Sequence, residues 1–389
     1  MTNYDWIVVG SGLSGVSFAR TLAEAGAEVL IVERRDHIGG NVFDAPDAHG
    51  VLVQRYGAHI FHTGSRRIFN YLSQFTEWYR YEHRVLAAVA TPAGEQLVPV
   101  PFNFTSLQRL WPDRADAVIR SLLEQFPAGA RVPVSDLVTC PDPQVAELGE
   151  YVLDTIFRGY TAKQWGRPVE TVDPSVLARV PVTLSHDDRY FRDEFQAIPR
   201  DGYTAMVQRM LTHPRLSVAL ESDGASELRR HPSARALWTG RVDAFFDYEL
   251  GELPYRSLRF FNTSVDTWRA LPTAVVNYPG QPPYTRVIDH SHFSPEIQAG
   301  TTLTYEFPQS YSRGMNEPFY PVATEDSAAL FERYAERAAA SGVLFAGRLG
   351  DFRYYDMHQA VGRALTLAES ALEHRLDPHQ LARQSRLAG

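Results

Sequence analysis

The hexapeptide Gly10-Ser11-Gly12-Leu13-Ser14-Gly15 has the residue types a diphosphate needs, and Glu33 stands 18 positions beyond its last glycine. Gly10 permits a tight turn, Gly12 lets backbone N–H groups approach a pyrophosphate at a positive helix N-terminus, and Gly15 lets helix and strand pack closely. Glu33, with Arg34 beside it, is placed to accept hydrogen bonds from ribose hydroxyls. This spacing predicts a dinucleotide cofactor. His59 and His62, three apart, invite a metal reading, but the run offers no third ligand and Ile60-Phe61 reads as packed strand, so no metal site is expected.

Charge narrows the ligand classes. The 389 residues carry 38 Lys plus Arg against 46 Asp plus Glu, a formal charge of −8. Such a chain lacks the basic field on which nucleic-acid or anionic-membrane binding rests, so any anion must be held by a local cluster. All but one of the 38 cations are arginines, and Lys163 is the exception. Planar, bidentate guanidinium suits phosphate better than ammonium does. Cys140 is the single cysteine, which excludes an intrachain disulfide and points to a reducing compartment. No stretch approaches the roughly 18 apolar residues of a membrane span, and Trp6 to Val9 is too short for a signal-peptide core. A cytoplasmic location with no membrane or nucleic-acid partner is the expectation.

These groups need a scaffold. Ile7-Val8-Val9 reads as a buried strand, the glycine turn opens a helix through about Glu24, Gly26 stops it, and residues 28–33 form a second, parallel strand. Residues 85–89 and 96–100 around Thr91-Pro92-Ala93-Gly94 carry a hairpin signal. Apolar residues at three- and four-residue spacing predict helices within residues 105–180, punctuated by prolines. Short β-rich runs between 215 and 305 predict an antiparallel sheet, and the chain then returns to strand (343–347) and helix (357–374). The fold class expected is α/β: a Rossmann-like FAD-binding domain with an inserted helical domain and an antiparallel β-sheet domain. The boundaries read as 1–80 plus about 195–240 and 340–389 for the first, about 103–185 for the second, and about 81–102, 186–194 and 241–339 for the third.

The choice of FAD over NAD rests on two resemblances. Ile38-Gly39-Gly40-Asn41 resembles the second glycine pair of the glutathione-reductase-like flavoproteins, and Leu344-Phe345-Ala346-Gly347-Arg348, with a helix opening at Asp356-Met357, resembles their closing FAD motif. The cofactor residues so implied are Gly39, Gly40, Asn41, Arg348, Asp356 and Met357, with His59 and Ile60 against the flavin. His59 is a candidate to respond to the flavin's redox state.

Further segments resemble the bacterial UDP-galactopyranose mutase family from the first strand to the last helix. They include Gly57-Ala58-His59-Ile60-Phe61-His62-Thr63, Arg158-Gly159-Tyr160-Thr161-Ala162-Lys163-Gln164-Trp165-Gly166, Arg179-Val180-Pro181-Val182, Asp187-Asp188-Arg189-Tyr190-Phe191, Asn277-Tyr278-Pro279, Tyr284-Thr285-Arg286 and Arg353-Tyr354-Tyr355-Asp356-Met357. The resemblance implies a flavin-dependent isomerase interconverting UDP-galactopyranose and UDP-galactofuranose without net redox change. In that family FAD must be reduced, and its N5 displaces UDP at the anomeric carbon before the sugar ring opens and recloses. Arg179 and Arg286 match the paired diphosphate arginines, Arg179 on a mobile lid over residues 171–181. Tyr160 matches the residue stacking on uracil and Trp165 a pocket wall, with Phe157 and Thr161 nearby. Tyr190, Tyr320 and Tyr354 match hydroxyls on the diphosphate, Asn277 a polar residue near sugar and phosphate, Arg256 one near flavin and sugar, and Asp356 the rim. The family also implies a homodimer and a cellular flavin reductant, whose identity the sequence leaves open. Two other readings are weighed: an amine-oxidase-like FAD oxidoreductase, and a nucleotide-sugar binding protein without chemistry.

Overall fold

The computed structural model describes residues 3–168 and 180–373. Strand Trp6–Val9, helix Leu13–Glu24 and strand Val29–Val32 form at the predicted places. Trp6–Val9 lies at the centre of a five-stranded parallel sheet, flanked by Val29–Val32 and Arg235–Trp238, with Leu216–Ala219 and Leu344–Phe345 at the edges. Parallel sheets need cover on both faces, and the strand period of two supplies it. Trp6, Val8, Val29 and Ile31 pack on one side with Phe18 and Leu22 and with Ala364 and Ala368 of helix Met357–Leu372; Ile7, Leu30 and Val32 fill a second cluster on the other side.

A seven-stranded sheet holds the second core. Its order is Tyr320–Pro321, Tyr255–Val265, Thr301–Ser310, Arg286–Asp289, Val275–Asn277, Val85–Thr91 and Gly94–Val100. Two sequence expectations are corrected. The sheet is mixed, because Val275–Asn277 runs parallel to Val85–Thr91 while the other neighbouring pairs are antiparallel. Leu216–Ala219, expected among the antiparallel runs, instead lies parallel to Val29–Val32.

Helices Phe104–Leu110, Ala115–Gln125, Val134–Val138 and Pro143–Val152 cover the hairpin end of this sheet, with Leu122 and Leu148 packed in one cluster with Val89 and Val98. Asp142 caps the last of these, its carboxylate accepting from the N–H groups of Gln144 and Val145, and Pro143 occupies the first turn where its missing N–H costs nothing. This helix runs on through a π-helical stretch, Leu153–Arg158, into helix Gly159–Trp165. The π-turn re-phases the final helix relative to the first, and so changes which face Tyr160 and Trp165 present.

Candidate functional site

The glycine turn has the shape of a diphosphate cradle. Gly10 has φ +105°, and a Cβ there would lie 2.0 Å from Thr239 Oγ1. A Cβ on Gly12, by contrast, would meet only Gly40 Cα at 3.9 Å, so the space before helix Leu13–Glu24 is open. No side chain caps that helix, leaving its first N–H groups to an anion. Glu33 is 5% exposed; its carboxylate accepts from Ser11 N (3.0 Å), Ser11 Oγ (2.8 Å) and Arg35 N (3.0 Å), tying the end of the second strand to the turn. Leu13 and Ser14 are buried in the first helical turn, and a Cβ on Gly347 would lie 3.2 Å from Ser14 Oγ, so the C-terminal strand closes on the same cradle. Arg34 pairs with Glu317, and Asn41 accepts from Arg35 Nη2 at 3.1 Å. Gly39 and Gly40 both have positive φ in the short turn facing Gly12. These residues fit a dinucleotide flavin: the cradle takes the diphosphate, and the cavity that opens beyond Asn41 is walled by the segments expected at the isoalloxazine.

That cavity, about 480 Å³, is lined by Asn41, His59, Ile60, Arg348, Asp356 and Met357 together with Tyr160, Trp165, Tyr190, Asn277, Arg286, Tyr320 and Tyr354. Sheet register builds its centre. Asn277 pairs with Arg286, which pairs with Glu306, so three strands place these side chains in one row. Glu306 is fully buried, and its Oε2 accepts from Arg286 Nε at 2.9 Å and Nη2 at 2.7 Å. Arg286 Nη1 has no hydrogen-bond partner among the described residues, so one donor edge is left for a ligand. Burial alone would push the Arg286 guanidinium down, but Glu306, with Tyr160 and Tyr320, holds it well above its ordinary value. Burial raises the Tyr160 and Tyr320 phenols, so both stay neutral O–H donors. Tyr320 stacks on Tyr354 with ring centroids 5.6 Å apart, and the Arg348 guanidinium lies 5.1 and 4.9 Å from the two rings.

His59 also lines this cavity. Its Nδ1 lies 2.8 Å from the Gly57 carbonyl, which can only accept, so Nδ1 carries the proton and Nε2 keeps its lone pair. Burial pushes its pKa down to about 4, and that of neighbouring His83 to about 3, so both rings are neutral near pH 7. His62 pairs instead with Asp193 (2.8 Å) and stacks on Phe191, and no cluster of three metal-ligating groups exists among the described residues.

Several expected residues stand elsewhere. Arg179, with most of the 171–181 lid, lies outside the described residues; Val180 lines the cavity. Phe157 does not: it is packed in the hydrophobic core under the sheet, and Thr161 is buried on the inner side of its helix. Arg256 does not reach the cavity either. Its Nε and Nη2 donate to the carbonyls of Gln164 and Lys163 and its Nη1 to Ser310 Oγ, so it ends the helix Gly159–Trp165 by satisfying terminal carbonyls. Sequence reading overlooked Glu306, whose one signal is a carboxylate inside an apolar strand run, Leu303-Thr304-Tyr305-Glu306-Phe307.

Comparison with known proteins gives the same picture. The family model for UDP-galactopyranose mutase matches residues 155–354, and that for an NAD(P)-binding Rossmann-like domain matches residues 8–75. A probable UDP-galactopyranose mutase of Klebsiella pneumoniae is 35% identical, covering 96% of each chain. A dTDP-fucopyranose mutase of Escherichia coli is 32% identical over 93% of this chain and 97% of its own. Among solved structures, a reduced UDP-galactopyranose mutase superposes with a TM-score of 0.70 at 14% identity, covering 98% of this chain and 99% of its own, which shows the fold.

Proposed function

The chain belongs to the UDP-galactopyranose mutase family, and on that premise we propose that it interconverts UDP-galactopyranose and UDP-galactofuranose with reduced FAD. The observation that carries this reading is Arg286, fixed by buried Glu306 and flanked by Tyr160 and Tyr320 in the cavity that begins at the flavin cradle. Bound in the glycine cradle formed by Gly10 to Gly15 and Gly39-Gly40, reduced FAD would supply the nucleophile for the anomeric carbon, with UDP as leaving group and the sugar free to open and reclose. The chain's own work is on the leaving group. Arg286 offers a permanent cation and a free donor edge to the diphosphate, which gains charge as the glycosidic bond breaks and must be kept close for its return. Tyr190, Tyr320 and Tyr354 add O–H donors, Tyr160 a face for the uracil, and Asn277 a polar contact in the same row as Arg286. Arg179, which lies outside the described residues, is the proposed second cation on the diphosphate. His59, neutral and with its Nε2 lone pair free, is placed against the flavin.

An amine-oxidase-like oxidoreductase would share the cradle but would have no use for a buried cation backed by an aromatic base platform. We place the FAD-binding, helical and sheet domains at the boundaries expected from sequence, the protein in the cytoplasm, and the active form as a homodimer; among the described residues no helix is long and apolar enough to cross a membrane. The test is to incubate anaerobically reduced protein with UDP-galactofuranose and, in parallel, with a dTDP-linked 6-deoxyhexofuranose, and to separate products by chromatography. UDP-galactopyranose as the faster product supports the reading; turnover of the dTDP sugar alone refutes the nucleotide assignment.

A further inference from the structure

The one lysine of this arginine-rich chain is not a solvated charge. Lys163 Nζ donates to three backbone carbonyls, those of Tyr278 at 2.5 Å, Pro282 at 2.8 Å and Tyr284 at 3.4 Å. All three lie in the loop that joins strand Val275–Asn277 to strand Arg286–Asp289. The loop holds Pro279, Pro282 and Pro283, which supply no N–H, so it is poor in donors for its own carbonyls. An ammonium presents three donors around one compact centre, whereas a guanidinium spreads its donors in a plane. Three carbonyls converging on a single point therefore select lysine, and this is a physical reason for its survival at this position.

The connection joins the two halves of the ligand site. Lys163 stands on helix Gly159–Trp165 between Tyr160 and Trp165, both of which line the cavity. Its loop carries Asn277 at one end and Arg286 at the other. The same helix is fixed at two further points: a Cβ on Gly159 would lie 2.1 Å from the Pro279 carbonyl oxygen, and Arg256 holds the terminal carbonyls of Lys163 and Gln164. The clamp is thus a backbone contact at the start of the helix, an ammonium in the middle and a guanidinium at the end.

We propose that Lys163 is a positioning residue that sets the distance between the base platform on helix Gly159–Trp165 and the diphosphate-binding row of Asn277 and Arg286; this rests on the nucleotide reading of the site. Arg286 keeps its own support from Glu306, so loss of the lysine displaces the platform more than the cation. Removal of the donors then raises KM and weakens UDP binding while kcat changes little. A hydrogen bond from a charged donor is strong enough for the loss to reach roughly tenfold in UDP affinity.

The test uses the FAD-loaded protein. UDP affinity is measured by calorimetry, and kcat and KM under reducing anaerobic conditions, for wild type, Lys163→Met and Lys163→Arg. Both variants are expected to bind UDP roughly tenfold more weakly, with kcat within about threefold of wild type. Donor and charge are separated in a Lys163→Cys, Cys140→Ser protein. Alkylation to an aminoethyl side chain restores affinity, and alkylation to a trimethylammonium side chain, equal in charge but without N–H, does not. UDP affinity in both variants within about twofold of wild type overturns the proposal, even if thermal stability falls, and so does rescue by the trimethylammonium group. Wild type that binds no UDP overturns the nucleotide reading and this proposal with it; wild type that binds UDP as tightly as both variants overturns this proposal alone.

Discussion

Glu306→Gln isolates the group that aims the proposed diphosphate cation. In the native protein a fully buried carboxylate holds Arg286 by two charge-assisted bonds of 2.9 and 2.7 Å from one oxygen, and the arginine side chain is itself only 22% exposed. Removing one member of a buried ion pair costs about 3–5 kcal/mol, because the other charge is left uncompensated. Glutamine keeps one acceptor, so we expect a loss at or just below the bottom of that range, about 2–3 kcal/mol, in urea unfolding of the UDP-free protein. Because UDP affinity is expected to be retained, saturating UDP should stabilise variant and wild type equally and leave the gap between them unchanged. Catalysis should behave differently. The guanidinium can now rotate away from the row it shares with Asn277, and misplacement of this kind costs about a hundredfold in kcat while ground-state UDP affinity is retained. Urea titration with and without UDP, steady-state kinetics and calorimetry read the three quantities. A Glu306→Gln protein with wild-type stability and kcat would refute the reasoning, as would one whose only defect is weak UDP binding.

Three further outcomes are expected. Arg286→Ala should lower kcat/KM by at least about a hundredfold while leaving flavin content unchanged, as should Arg179→Ala; near-normal activity in either removes that residue from the mechanism. Tyr160→Ala should weaken UDP binding by about 1–3 kcal/mol and Tyr160→Phe by far less, because stacking needs only the ring; equal losses in both would contradict the base-platform role. Acid should destabilise the protein earlier than its carboxylates alone would dictate. Burial holds His59 and His290 at about 4 and His83 at about 3 in the folded state, against 6.5 in the ordinary state. Unfolded chains therefore bind these protons first, and stability present above pH 6.5 is lost as pH falls through the 6.5–4 window. Unfolding near pH 5 should take up about three protons, a slope of about 3–4 kcal/mol per pH unit, and urea midpoints that stay flat from pH 6.5 to 5 would sink the assignment.

The parts of the fold legible in the sequence are those set by local pattern. The glycine turn, the first helix and the strands beside it follow from runs of apolar residues and from contacts only a glycine allows at residues 10 and 15, and the structure puts Glu33 at the end of its strand as spacing predicted. Pairings over long sequence separations were not legible. Nothing in Leu216-Ser217-Val218-Ala219 distinguishes a neighbour of Val29–Val32 from an antiparallel strand, and no turn links Val275–Asn277 to Val85–Thr91, so their parallel direction left no local trace. For the same reason Arg286 was found by its motif while Glu306, 20 residues away and directly opposite it, was missed. Arg256 shows the converse: its motif suggested a ligand contact, whereas the terminal carbonyls of helix Gly159–Trp165 claim its guanidinium. Phe157 and Thr161, placed near the pocket only through the family resemblance, are instead buried, just where the π-turn at Leu153–Arg158 breaks the 3.6-residue phase.

The central claim is that the flavin works without being consumed. The most direct measurement follows the flavin absorbance of anaerobic protein, reduced by one equivalent of dithionite, while product is counted over many turnovers. An isomerase of the kind proposed leaves the spectrum reduced throughout, makes many product molecules per flavin with no further reductant, and shows no bleaching when substrate is added to the oxidised protein. Stoichiometric reduction of oxidised flavin by the nucleotide sugar, or product that stops at one molecule per flavin, would contradict it.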